Sequence, residues 1–210
     1  MRHSWLLLPI AILLGSCSSE DEELSVKPER LFTGHEASTT FEVPITAYYP
    51  QTMQWSIVDK SVATIEILDG GGHVKVTAQK PGKTMLRATA NGRTKDIPVT
   101  VTEYTIADIE LGNDLYQSNK ESGGDPDPDA TNEKGTVGLG CIDCHGARGT
   151  ATHDPTKIGG FDDQTVLDVI ATGKRPDGSA IPTAHKFSLT PDQQKAILAR
   201  VRSLQPRGWP

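Results

Sequence analysis

The chain has 210 residues, 36% of them apolar and 23% charged, with a formal charge of −6. That length suits two modest domains, and the negative charge excludes the basic field that condenses on nucleic acid or anionic lipid. Three cysteines, one near the N-terminus and two only three positions apart, exclude a disulfide scaffold, so each needs another purpose.

Met1-Arg2-His3 supplies a positive start, and Trp5 to Leu14 is an apolar run of ten residues, too short to span a bilayer. This reads as an export signal over residues 1–16. It ends in Leu14-Gly15-Ser16-Cys17, which resembles a bacterial lipobox. The resemblance implies cleavage before Cys17 and lipidation of that cysteine, with membrane affinity of about 0.8 kcal/mol per buried methylene. The expected location is the cell envelope, anchored by lipid and facing the periplasm or exterior. Ser18 stands where some bacteria use an aspartate for inner-membrane retention, a hint toward the outer membrane. Residues 17–23, rich in Ser, Asp and Glu, form a polar tether that cannot bury apolar surface.

Over residues 24–104 the apolar period is two. Phe41, Val43, Ile45 and Ala47 alternate with polar residues or proline, as do Met53, Trp55 and Ile57, and three later runs end at Ala78, Ala90 and Val101. Turn signals fall at Asp69-Gly70-Gly71-Gly72, Pro81-Gly82 and Asn91-Gly92, the last a strong hairpin signal. Short strands with regular punctuation argue a β-sandwich. Trp55-Ser56, Asp59 to Ile65, Pro81-Gly82 and Val99-Thr100-Val101 resemble bacterial Ig-like modules, without the cysteine pair of antibody domains. Trp55 is expected in the core, His35 and His73 on the surface, and the module is expected to serve as a spacer or docking unit.

From residue 105 the period becomes helical. Thr105 to Asp108 is a capping start, after which Ile109, Gly112 and Tyr116 share a face. A helix is expected after Asp162, through Val166, Leu167 and Ile170 to Gly173. Thr190, Pro191 and Gln193 open a terminal helix carrying Ile197, Val201 and Leu204, which Pro206 stops.

Between these helices lies Cys141-Ile142-Asp143-Cys144-His145, the Cys-x-x-Cys-His spacing of c-type haem attachment. Two thiols three positions apart on a helical turn reach the two vinyl groups on one side of a porphyrin, and the adjacent histidine lies under the iron. A structural zinc site would want four N or S ligands, and no second cysteine pair exists. A thioredoxin-like dithiol would want a strand leading in from a βαβ unit.

With Gly112 and Tyr116 on a first helix, Cys-x-x-Cys-His-Gly at 141–146 and a terminal helix ending Val201 to Leu204, residues 105–210 resemble class I c-type cytochromes. The resemblance implies one covalent haem c, with His145 as proximal ligand, the first and last helices crossing, and the Pro155 carbonyl accepting from His145 Nδ1. The fold expected is thus multi-domain: an all-β Ig-like sandwich followed by an all-α cytochrome c domain. The family's distal methionine is missing, because Met1, Met53 and Met85 all precede the haem motif. Where relatives carry Met-Pro, this chain reads Ile181-Pro182-Thr183-Ala184-His185, so His185 is the expected distal ligand. His153 and an open, lysine or water-filled position are the alternatives. Phe161, Ile170, Ile181 and Phe187 are the expected crevice residues.

Residues 120–138 add an acidic insert with Asp125-Pro126-Asp127-Pro128-Asp129, which lacks the glycine and terminal glutamate of an EF-hand loop. It is expected to be solvated, or to steer a basic redox partner. The function expected is single-electron transfer between envelope proteins, with no catalysis. A haem enzyme or sensor with an exchangeable sixth position is the alternative.

Overall fold

The structure, a computed structural model, describes residues 24–48, 52–117, 141, 145, 153–181 and 187–206. Among the described residues eight strands form two four-stranded sheets: β1 (Ser25–Lys27), β2 (Leu31–His35), β3 (Glu42–Tyr48), β4 (Gln54–Ile57), β5 (Ala63–Leu68), β6 (His73–Ala78), β7 (Gly82–Ala90) and β8 (Arg93–Glu103). One sheet has the order β1-β3-β6-β5 and the other β2-β8-β7-β4. Pairing is antiparallel except for β2 against β8, where Leu31 lies opposite Val99. The chain therefore changes sheets between β1 and β2, at the cis Lys27-Pro28 bond. This is the sandwich read from the alternating pattern, with an immunoglobulin-like first strand split across both sheets.

Inward residues of the two sheets interleave: Val43, Ile45, Val74 and Val76 from one, Leu86, Ile97 and Val99 from the other, all 1% exposed or less. Trp55 is buried among them, and its indole N–H donates to the Gly71 carbonyl at 2.8 Å, which satisfies its one polar atom. Met53 and Met85 both lie in the sandwich. The Asn91-Gly92 hairpin has both central residues at positive φ, 49° and 74°, the geometry of a two-residue turn between twisted strands. Pro44 and Pro98 stand just beyond the short strands β1 and β2, where no ladder partner needs their missing N–H.

Four described helices follow: α1 (Ile106–Gln117), α2 (Pro155–Ile158), α3 (Asp163–Thr172) and α4 (Pro191–Arg202). Their starts are dictated locally. Asp108 and Thr105 bond each other reciprocally at the head of α1. Asp154 and Asp162 cap α2 and α3 through the amides of Thr156 and Thr165. Thr190 and Gln193 close a capping box on α4, with Pro191 at its first position. Gly173, at φ 67°, ends α3. Among the described residues no helix is long and apolar enough to cross a membrane.

The expectation of a separate all-α domain is overturned. The helices lie on the sandwich and share its residues, with Phe41 and Tyr104 in one buried cluster with Ile109, Tyr116, Val166, Ile197 and Val201. Phe41 stacks on Tyr104 at 6.0 Å between ring centroids, and burial pushes the Tyr104 phenol pKa up. Helices of 12, 4, 10 and 12 residues are each near or below the length at which a helix is stable alone. Their apolar stripes are completed by the sandwich, so strand and helix form one β-rich unit.

Candidate functional site

Where α1 crosses α4, Gly112 is required. A Cβ there would run into the Ala196 carbonyl oxygen and come within 2.9 Å of Arg200 Cβ, so only glycine lets the backbones approach this closely. The ion pair between Lys195 and Asp108, 2.7 Å, ties the same two helices at the other end. One turn after Gly112, Tyr116 is buried, with the Arg200 guanidinium 5.4 Å above its ring. Partial burial lowers the pKa of Arg200, which Tyr116 opposes, and the group stays charged at physiological pH.

Tyr116 leads to the haem motif. Its hydroxyl donates to the His145 carbonyl at 3.5 Å. Cys141 and His145 are both helical, the first half-buried against the shared cluster and the second buried at 8% exposure. The His145 imidazole stacks on that of His153, with ring centroids 3.4 Å apart and planes 25° from parallel. His153 also meets Tyr116 edge-on at 6.2 Å. The His145 and His153 rings are in direct face-to-face contact, with no room for another group between them.

Beyond His153 opens a cavity of about 510 Å³, within the range of about 300–1,000 Å³ common for cofactor sites. Its walls are apolar: Ile158 and Phe161 on one side, Val166, Val169 and Ile170 from α3, and Val201 from α4. The exposed side chains of Lys157 and Arg175 also line it and are its only two cations among the described residues. Of the expected crevice residues, Phe161 and Ile170 line this cavity. The other two expected crevice residues, Ile181 and Phe187, do not line it; Ile181 N–H donates to the Gly173 carbonyl at 2.8 Å and Phe187 N–H to the carbonyl of the cavity residue Ile170 at 3.2 Å. The Pro155 carbonyl accepts from the Gly159 amide at 2.9 Å as the first turn of α2.

Cys17, Cys144, His185 and the acidic insert lie outside the described residues. His35 and His73 are half-buried at strand ends, and His73 pairs with Asp69 at 3.1 Å. No cluster of three metal-ligating side chains occurs among the described residues.

The donor set and cavity fit a covalent haem. Cys141 packs on the apolar cluster that also supplies Ile158, Val166, Ile170 and Val201 to the cavity, His145 stacks on the cavity residue His153, and two cations border the space, which suits a flat apolar ring carrying two carboxylates. The sequence reading missed His153's place on the ring of His145, the cavity walls Val166, Val169 and Val201, and the buried Arg202. Arg202 carried a signal, as a charged residue directly following Val201 on the buried side of α4.

The chain matches no protein-family model. It matches no curated protein either. Several solved structures are similar over about two fifths of the chain. Domains 4 and 5 of the S-layer protein SbsC are 14% identical over 39% of this chain, with a TM-score of 0.32; the match spans about half of that fragment (51%). The M1 domain from titin is 8% identical over 39% of this chain and 94% of its own, TM-score 0.31. The adhesin InvE of Yersinia pseudotuberculosis is 16% identical over 39% of this chain and 26% of its own, TM-score 0.25.

Proposed function

We propose that this protein is a lipid-anchored, single-haem electron carrier of the bacterial cell envelope, whose haem site is built on the flank of an Ig-like sandwich. The observation that carries the reading is Cys141-Ile142-Asp143-Cys144-His145 together with the buried His145, whose ring stacks on His153, a lining residue of the predominantly apolar cavity. Cys141 and Cys144 hold the haem covalently, His145 ligates it, and the cavity walls exclude water from it. When bound, the haem supplies one-electron exchange between ferrous and ferric iron, and the protein sets the potential through ligands and burial. The export signal and Cys17 support envelope location and anchoring. The donor and acceptor are redox proteins of that compartment.

His185 is the proposed second ligand. His153 is stacked on His145, and Phe187, two residues after His185, is bonded to the cavity residue Ile170. A bis-imidazole haem lacks the thioether that raises potential in His/Met sites, so its potential is lower than that of a His/Met protein of equal burial. The test is His185→Ala. The wild type is expected to give a low-spin spectrum indifferent to carbon monoxide, and the variant a high-spin, carbon-monoxide-binding one. A variant that stays six-coordinate and low-spin contradicts the ligand assignment. Carbon monoxide binding by the wild type favours the alternative, a haem enzyme or sensor with an exchangeable position.

A further inference from the structure

We infer that Arg202 is a positioning residue of this cavity and that, through it, the sandwich is a working part of the haem site rather than a spacer; the inference rests on the haem reading above. Arg202 sits at the end of α4 with its side chain 1% exposed. Its five N–H donors all find acceptors. Nε and Nη2 reach Asp163 Oδ1 at 3.2 and 2.8 Å. Nη1 reaches the carbonyls of Phe32 at 3.0 Å and Ile158 at 3.2 Å, and Nη2 also reaches that of Phe161 at 2.7 Å. One guanidinium thus joins α4, the start of α3, the turn after α2 and strand β2 of the sandwich.

The bonded groups are those that shape the cavity. Ile158 and Phe161 give their carbonyls to Arg202 and their side chains to the wall, and Val201, the residue before Arg202, lines the same space. The sandwich grips this turn a second time, because the Phe32 amide donates to the Gly159 carbonyl at 2.8 Å. It also limits the turn from beneath. A Cβ on Gly159 would come within 2.6 Å of Val43, and one on Gly160 within 2.6 Å of Pro28. A well-packed apolar residue could anchor a helix end as firmly as a buried ion pair. What a planar five-donor fork adds is the simultaneous fixing of three carbonyls from two segments, which lysine with three donors on a point charge cannot reproduce. The wall is therefore set by β2, and with it the burial on which a haem potential depends.

The test uses the full chain from a host competent in c-type haem maturation, as wild type, Arg202→Lys, Asp163→Asn and Leu86→Ala, the last a buried sandwich residue remote from the fork. Two quantities are read under conditions where circular dichroism shows each variant folded: the midpoint potential, and amide hydrogen exchange at residues 157–166 relative to 63–68. Arg202→Lys and Asp163→Asn are expected to shift the potential and to raise relative exchange at 157–166 about tenfold, whereas Leu86→Ala does neither. Raised exchange with an unchanged potential makes the contact merely structural and overturns the inference, as does a potential shift of equal size in Leu86→Ala. If Arg202→Lys does not fold, Asp163→Asn decides. If the wild type carries no haem, the haem reading fails by itself, and relative exchange at 157–166 then decides whether Arg202 fixes the wall.

Discussion

Replacing Gly112 by alanine sets two effects of opposite sign against each other. In an unobstructed helix interior the change stabilises by about 1 kcal/mol, because glycine is the costlier residue to order. Here the new Cβ meets the Ala196 carbonyl and stands 2.9 Å from both the carbonyl carbon and Arg200 Cβ, against an optimal carbon–carbon separation of about 3.5–4.0 Å. The Ala196 carbonyl belongs to the backbone of α4 and Arg200 Cβ is fixed directly to it, so neither can rotate away and the helices must part by roughly 1 Å, on the scale of that shortfall. Overpacking of this kind costs about 1–3 kcal/mol, and rigid backbone places Gly112→Ala near the upper end. The net expectation is a loss of about 2 kcal/mol, or about 4–8 °C in Tm for a chain of this size. Thermal or urea unfolding followed by circular dichroism measures it. A Tm at or above the wild-type value would refute the close crossing of α1 and α4.

Leu86→Ala empties a fully buried site between the sheets and is expected to cost about 2–5 kcal/mol. Because the helices share a core with the sandwich, near-ultraviolet and far-ultraviolet signals should fall in one transition; a helical transition left unmoved would show two independent units. Asp162 caps α3, and its hydrogen bonds with Thr165 hold its carboxyl below the usual carboxylate range. A folded-state pKa below the unfolded one stabilises at pH above about 4, and that contribution disappears as pH falls through the lowered value. Asp162→Ala should therefore cost about 1 kcal/mol at neutral pH and flatten the loss of stability below about pH 4; an unchanged acid limb in urea titrations would contradict this.

The sandwich was legible because its signals are local and redundant. Alternation from Phe41 to Ala47 and from Met53 to Ile57 fixes which side chains turn inward, and Asn91-Gly92 admits one kind of turn. Strands β1 and β2 were not legible individually, being three and five residues long and separated by Pro28. Helix starts at Thr105, Asp162 and Thr190 followed from capping chemistry, which is read within four residues. The association of the two halves was not legible. Phe41 read as an ordinary sandwich residue and Tyr104 as the end of the 24–104 module, yet they complete the helical core, and such partnership depends on which outer face remains apolar after folding. The proposed haem attachment rests on the spacing of Cys141, Cys144 and His145, because covalent attachment demands fixed spacing. The stacking of His153 on His145 and the fork of Arg202 join residues from 8 to 170 positions apart, and no local pattern announces them.

The account stands or falls on covalent haem. The full chain is to be expressed with the c-type maturation machinery, purified and digested, and the peptide carrying Cys141 and Cys144 weighed by mass spectrometry. The expected result is a red protein whose peptide bears one haem through both sulfurs, with attachment through a single sulfur in Cys141→Ala or Cys144→Ala. A colourless protein whose peptide has the mass of the bare sequence would contradict it.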